Sequence, residues 1–108
     1  FPHSRVWCVF QPHTFTRTKA FMDEFAQALS LADEVVLADI YPARETDNLG
    51  ISSRDLQAKL QKLGKEAHYF SSFDAIENFL LENLIHNDMV ITMGAGDIVK
   101  VGEKLLGM

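Results

Sequence analysis

Val6-Trp7-Cys8-Val9-Phe10-Gln11-Pro12-His13-Thr14-Phe15-Thr16-Arg17-Thr18-Lys19 is the stretch that decides how this chain folds. Its first five residues are apolar without a break, as expected of a strand covered on both faces. Beyond Thr16 the apolar residues recur at helical spacing. Residues 10–19 therefore form the turn by which a strand feeds a helix. In an open α/β sheet that turn lies at the carboxyl edge of the strands, where such sheets bind ligands. It holds a histidine, an arginine and three threonines, a set suited to gripping an anion near a helix N-terminus.

The same alternation runs outward along the chain. Strand-like runs at 5–10, 34–40, 66–70 and 89–93 are separated by segments of helical spacing, the pattern of a parallel sheet built from βαβ units. Val35-Val36-Leu37-Ala38 and Met89-Val90-Ile91-Thr92-Met93 are nearly all apolar, whereas His68-Tyr69-Phe70 is shorter and more polar and belongs near an edge. The first helix is expected over 16–31, with Phe21, Phe25 and Leu29 facing the sheet. The second starts at Ser52 or Ser53, carries Leu56, Leu60 and Leu63, and ends at Gly64. The third begins near Ser72 with Ile76, Leu80 and Leu84 as its stripe. A fourth follows Gly94-Ala95-Gly96-Asp97 and carries Ile98, Val101 and Leu105. The long loop at 41–50 leaves the second strand at its carboxyl end, on the edge that carries the His13–Arg17 turn.

Bulk properties set the class. A chain of 108 residues is one domain, 1–108, with enough length for a core. Apolar content of 47% with 23% charged residues is that of a globular protein rather than a disordered one. A net charge of -5 without a basic stripe argues against nucleic acid as a partner. The single cysteine, Cys8, lies inside the first apolar run and fits a reducing, cytoplasmic setting. No apolar stretch has membrane-spanning length and no signal peptide is visible, so no membrane partner is expected. The opening Phe1-Pro2-His3-Ser4, without an initiator methionine, points to a piece of a longer protein.

Three segments are candidates for chemistry. His13 and Arg17 are four apart and share a face if the helix begins at His13, a start that Pro12 favours. Arg17 then offers a planar fork to a carboxylate or phosphate, and His13 adds a donor or a charge. The plainer reading has Thr14 or Thr16 capping the helix and Arg17 solvated, although a cation there opposes the macrodipole. Gly94-Ala95-Gly96-Asp97 has the context of a phosphate-cradling loop, which makes Gly94, Gly96 and Asp97 candidates. Val99 stands where the dinucleotide fingerprint has its third glycine, so a tight turn capped by Asp97 competes with that role. In Tyr41-Pro42-Ala43-Arg44-Glu45 an aromatic ring stands beside charges of both signs, which adds Tyr41, Arg44 and Glu45 to the binding edge. His3, His68 and His86 show no metal-ligand spacing, and no nucleophilic triad can be assembled. The chain shows a binding edge, with no catalytic residue and no metal ligand.

Phe10-Gln11-Pro12-His13-Thr14-Phe15-Thr16-Arg17-Thr18 resembles the FQPH-x-[FY]-[ST]-R-T signature of the Mur ligases, in the branch that adds L-alanine to UDP-N-acetylmuramate. Asp39-Ile40-Tyr41-Pro42-Ala43-Arg44-Glu45, followed by Gly50-Ile51-Ser52, resembles that branch's next motif, and Met93-Gly94-Ala95-Gly96-Asp97 its last. The resemblance implies a Rossmann-like C-terminal domain: an open, mostly parallel sheet with helices on both faces, three layers α/β/α. It implies an ATP-dependent reaction in which the lactyl carboxylate is phosphorylated and the alanine amine attacks the acyl phosphate. ATP and Mg2+ are then bound mainly by a central P-loop domain and the UDP-sugar by an N-terminal one. Both are outside these 108 residues, as is the helix that normally opens this domain. The fragment alone is expected to be inactive, with apolar sheet surface uncovered around Val6 to Phe10. His13, Thr16 and Arg17 match positions near the amino acid and phosphate. Many relatives carry Arg where this chain has Thr14.

The tripeptide-recycling ligase of the same family reads Glu-Pro-Arg where this chain has Gln11-Pro12-His13. A receiver-type signalling module would need acidic residues after the first strand and a lysine after the last; a plain nucleotide-binding module would need the glycine fingerprint.

Overall fold

The computed structural model describes residues 5–84 and 88–94. Its elements run β1 (Val6–Gln11), α1 (Phe15–Ala20), α2 (Met22–Leu29), β2 (Glu34–Leu37), α3 (Ser53–Lys62), β3 (Ala67–Tyr69), α4 (Phe73–Asn83) and β4 (Met89–Gly94). The strands form one sheet in the order β3-β2-β1-β4, parallel throughout, with the short polar β3 at an edge as its composition requires. Successive crossovers carry the chain outward from β1 to β3, and the next returns it to the far side of β1. A crossover that keeps one hand must change face at such a reversal. Accordingly α2 and α3 cover one face, packing on Cys8, Phe10, Val35 and Leu37. α4 covers the other with Ile76 and Leu80 against Trp7, Val9 and Val36. The result is the expected open α/β sheet with helices on both faces.

Local chemistry sets the helix ends. Ser52 caps α3 in a capping box with Asp55, whose carboxylate accepts from the Ser52 N–H at 2.8 Å. Gly64, at φ +80, ends it, and Ser72 caps α4. The expected single helix over 16–31 is instead two, broken at Phe21, whose φ of -119° lies outside the helical range. The buried stripe is Thr18, Met22, Ala26 and Leu29: Leu29 is buried as expected, whereas Met22 and Ala26 take the places expected of Phe21 and Phe25, and Phe21 stands half exposed. Phe25 keeps an inward contact, its ring 5.4 Å from that of Phe10. Leu63, also expected inward, is half exposed because α3 is already closing there.

β2 ends at Leu37 rather than reaching residue 40, although the Ala38 N–H still donates to the Phe10 carbonyl at 3.0 Å. At the amino end, Asp88 clamps β1 to β4: its Oδ2 accepts from Arg5 Nη2 and from Trp7 Nε1, each at 3.0 Å. That carboxylate is 1% exposed, so donors such as these and the Arg5 N–H, 3.4 Å from Oδ1, stand in for water. Burial pushes the Cys8 thiol up to about 11, as befits a packed side chain. The apolar surface expected open from Val6 to Phe10 is there in part: Trp7 through Phe10 are buried, yet Val6, Cys8 and Phe10 line a groove of about 230 Å³ together with Ile91 and Met93 of β4. Met89, Ile91 and Met93 are exposed, so β4 is not covered on both faces as its apolar run led one to expect. The fourth helix falls outside the described residues.

Candidate functional site

All four strands point the same way, so their polar exits share one edge. The order reversal beside β1 opens a crevice between the carboxyl ends of β1 and β4, the place where ligands enter such sheets. Gln11 and Gly94 are the last ladder pair there. Gly94 sits at φ +121°, and a Cβ on it would lie 2.3 Å from the Gln11 carbonyl oxygen. Its glycine is therefore spent on backbone approach between two strands. Gly96 and Asp97 lie outside the described residues.

After β1 the chain does not enter a helix at His13. It stays extended and continues the pairing with the chain leaving β2: Tyr41 N–H donates to the Pro12 carbonyl at 2.8 Å, and Thr14 N–H to the Tyr41 carbonyl at 2.7 Å. His13 and Tyr41 are thereby side by side, exposed, with rings stacked at 5.7 Å and 28°. Helix α1 starts only at Phe15, with Thr14 as its cap. The expected shared helical face of His13 and Arg17 is thus corrected: Pro12 belongs to the strand exit, with His13 on the extended chain before the Thr14 cap and Arg17 on α1 after it. Arg17 is exposed on α1, its N–H bonded to Thr14 Oγ1 at 3.2 Å.

Thr14 itself stands at φ 63°, ψ 147°, a region foreign to a β-branched residue and costing about 1–3 kcal/mol. Four bonds hold it there: its N–H donates to Tyr41, its Oγ1 accepts from the Arg17 N–H, and its carbonyl accepts from Thr18 Oγ1 at 2.6 Å and from the Thr18 N–H at 3.2 Å. Thr18 is fully buried, which anchors the turn to the core. Nothing in the sequence marks this strain; a small threonine in a turn reads as an ordinary cap.

Thr16 and Glu45 meet. Glu45 Oε1 accepts from the Phe15 N–H, both carboxylate oxygens accept from the Thr16 N–H at 3.2 and 3.3 Å, and Oε2 accepts from Thr16 Oγ1. The Thr16 hydroxyl bond lowers the Glu45 pKa most; burial works against it, and the Thr16 and Phe15 amides and His13 add to the lowering. Arg44, next to it, projects from the loop exposed. The edge thus brings His13, Thr16, Tyr41 and Glu45 together, with Arg17 and Arg44 exposed around them.

Two features escaped the sequence reading. Tyr69 donates its hydroxyl to Asp39 Oδ1 while Arg54 lies over its ring at 5.1 Å, and the Asp39 bond raises the Tyr69 pKa most. Beside them a hollow of about 320 Å³ opens between the strand exits and the α4 start, lined by Gln11, Ala38, Asp39, Ser71 and Ser72 among others. Gln11 gives its Nε2 hydrogen to the Asp39 carbonyl at 3.2 Å and leaves Oε1 without a partner. An apolar strand ending in glutamine signals such a polar mouth only in retrospect. His68, by contrast, is structural, 3.3 Å from Glu34.

A parallel sheet with its polar exits gathered at a strand-order reversal defines a Rossmann-like α/β domain. The particular family follows from comparison: residues 1–96 match the model of the Mur ligase glutamate ligase domain, and the chain belongs to that family. It is similar to the UDP-N-acetylmuramate--L-alanine ligase of Lachnospira eligens, at 64% identity over 98% of this chain and 23% of that protein. The corresponding ligase of Clostridium botulinum (strain Okra) is 46% identical over the whole chain and 24% of its own length. Among solved structures, the UDP-N-acetylmuramate-alanine ligase of Thermotoga maritima superposes with a TM-score of 0.73 at 27% identity, over 99% of this chain and 20% of that one. The chain therefore spans about a quarter of the length of the curated relatives it matches.

Proposed function

We propose that these 108 residues are the C-terminal, amino-acid-positioning domain of a cytoplasmic ligase that joins L-alanine to UDP-N-acetylmuramate. One observation carries the reading: at the strand-order reversal, exposed Arg17 and the stacked His13–Tyr41 pair offer a cationic, aromatic shelf, in a chain 64% identical to a ligase of that name. Arg17 holds the alanine carboxylate through its planar fork. His13, fixed against Tyr41, faces the phosphate-bearing side, with Arg44 as a further cation. UDP-N-acetylmuramate and the rest of the ligase complete the site. No helix among the described residues is long and apolar enough to cross a membrane.

ATP and Mg2+ belong to the proposed reaction. No group of three His, Cys, Asp or Glu side chains gathers among these residues, and the space at Gly94 is filled by the Gln11 backbone. Nucleotide and metal are assigned to the rest of the ligase. The 108-residue chain alone should show background phosphate release with alanine, ATP and UDP-N-acetylmuramate.

Arg17→Ala in the full-length ligase tests the reading. The side chain is exposed, so truncation should alter stability by no more than about 0.5 kcal/mol. Loss of a charge-assisted bond to the alanine carboxylate costs roughly 1.5–3 kcal/mol, a fall of about ten- to a hundredfold or more in kcat/KM for alanine. Arg17→Lys should recover part of it, keeping the charge and losing the fork. A collapsed melting temperature with normal kcat/KM in the folded fraction would make Arg17 structural and sink the assignment.

A further inference from the structure

The first amides of a helix have no partner within it and commonly await a ligand or a cap. At α1 a carboxylate from the protein itself has taken them. Glu45 lies 30 residues beyond Phe15, on the loop that leaves β2, and bonds Phe15 and Thr16 as described. Its own loop is bent sharply: Ala43 and Leu49 both stand at positive φ, 55° and 54°. Inside the loop the bonds are local, Glu45 N–H to Pro42 and the side chains of Asp47 and Asn48 to amides two residues on. Among the described residues, the side-chain link from residues 42–49 to α1 is the Glu45 carboxylate. It reaches the helix one residue past the strained Thr14, whose N–H is already bonded to Tyr41 at the root of the same loop.

We propose that Glu45 is the positioning residue of the His13–Arg17 edge: its carboxylate fills the start of α1, draws the 42–49 loop against the Thr14 turn, and leaves recognition of a substrate anion to side chains instead of helix amides. This rests on the amino-acid-positioning reading and sharpens it. The α1 amides are closed to the incoming carboxylate, so Arg17 and His13 must supply the contacts. The latch also sets where they stand. Tyr41 begins the loop that Glu45 pins, and His13 stacks on Tyr41. Freeing Glu45 lets the loop swing, takes the support from beneath His13, and exposes two competing donors at the helix start.

The test uses Glu45→Gln, which keeps the shape but turns N–H donors toward Thr16, and Thr16→Ala, which removes the hydroxyl partner and leaves Glu45 in place. Amide hydrogen exchange on the chain should show Phe15 and Thr16 exchanging about tenfold faster in Glu45→Gln, with Val9 and Val36 unchanged. Thr16→Ala should act in the same direction and less strongly. In the full-length ligase, Glu45→Gln should raise KM for alanine about tenfold with kcat little altered, because the loop orders the binding edge and touches no reacting bond. Unchanged exchange at Phe15 and Thr16 in both variants overturns the latch. Faster exchange with an unchanged KM overturns the positioning role, provided Arg17→Ala does impair alanine kinetics. If Arg17→Ala is silent as well, the amino-acid-positioning reading has failed and the latch is purely structural.

Discussion

Gly94→Ala should damage the chain more than its modest chemistry suggests, and the structure allows the amount to be worked out. Gly94 is the last ladder residue of β4, opposite Gln11 at the crevice. The new methyl would sit 2.3 Å from the Gln11 carbonyl oxygen and 3.2 Å from its carbonyl carbon and Cβ. The nearest obstacle is backbone, which cannot step aside as a flexible side chain can. Overpacking of this kind costs about 1–3 kcal/mol, and a non-glycine residue held at positive φ adds about 1–3 kcal/mol, so the sum is about 2–6 kcal/mol. Gly64→Ala is the control, since φ there is +80° and nothing lies within 4 Å of the added Cβ. That variant bears the conformational cost alone, about 1–2 kcal/mol. Urea unfolding of the chain followed by far-UV circular dichroism reads both. With a slope of about 1–3 kcal/mol per molar, Gly94→Ala should lower the midpoint by about 1 M or more at unchanged slope. If the two variants agree within about 0.5 kcal/mol, the close approach of β4 to β1 does not exist as described. In that case Gly94 becomes available again as a ligand-facing glycine.

Other changes probe the strained turn, the buried clamp and the latch. Thr14→Gly should be neutral to stabilising by about 1 kcal/mol in urea titration, because relief of backbone strain outweighs a capping loss of a few tenths; marked destabilisation would show that φ 63° is unstrained here. Asp88→Ala leaves the Trp7 N–H without its acceptor, while the part-exposed Arg5 keeps the Asn83 carbonyl, so a loss of about 1–3 kcal/mol is expected by the same measurement, and a change under about 0.5 kcal/mol would refute the clamp. Folding lowers the Glu45 pKa, so its contribution is present above the unfolded value and is lost as pH falls through the lower folded one. The difference in unfolding midpoint between wild type and Glu45→Gln should therefore persist at neutral pH and close at pH values below the ordinary 4.5. A gap that persists in acid would mean the bonds do not need the charge.

What the sequence shows well is what depends on one segment at a time. The apolar runs of β1 and β2 report strands covered on both faces, whereas the equally apolar β4 is an edge strand with Met89, Ile91 and Met93 exposed; the polar His68-Tyr69 reports the other edge, and Ser52, Gly64 and Ser72 mark helix ends by their own chemistry. Because parallel strands share direction, every post-strand motif had to fall on one edge, and His13, Tyr41 and Gly94 do so without any knowledge of packing. What stayed hidden depends on two segments at once. The break at Phe21 brings Met22 and Ala26 inward in place of Phe21 and Phe25, and a stripe drawn through Phe21, Phe25 and Leu29 looks as good as the true one through Thr18, Met22, Ala26 and Leu29. His13 and Arg17 carry a helical spacing, yet the bridge to Tyr41 keeps His13 extended, so the spacing carries no geometric meaning. Glu45 shows the point most sharply. On paper it is one more acidic loop residue beside an arginine, and the anion that the α1 start invites could have been any ligand. Only the fold reveals that the chain carries that anion itself. On the proposed reading, what remains for a substrate anion is narrower than the sequence suggested: the Arg17 guanidinium and the His13 imidazole, on either side of a turn the protein holds strained.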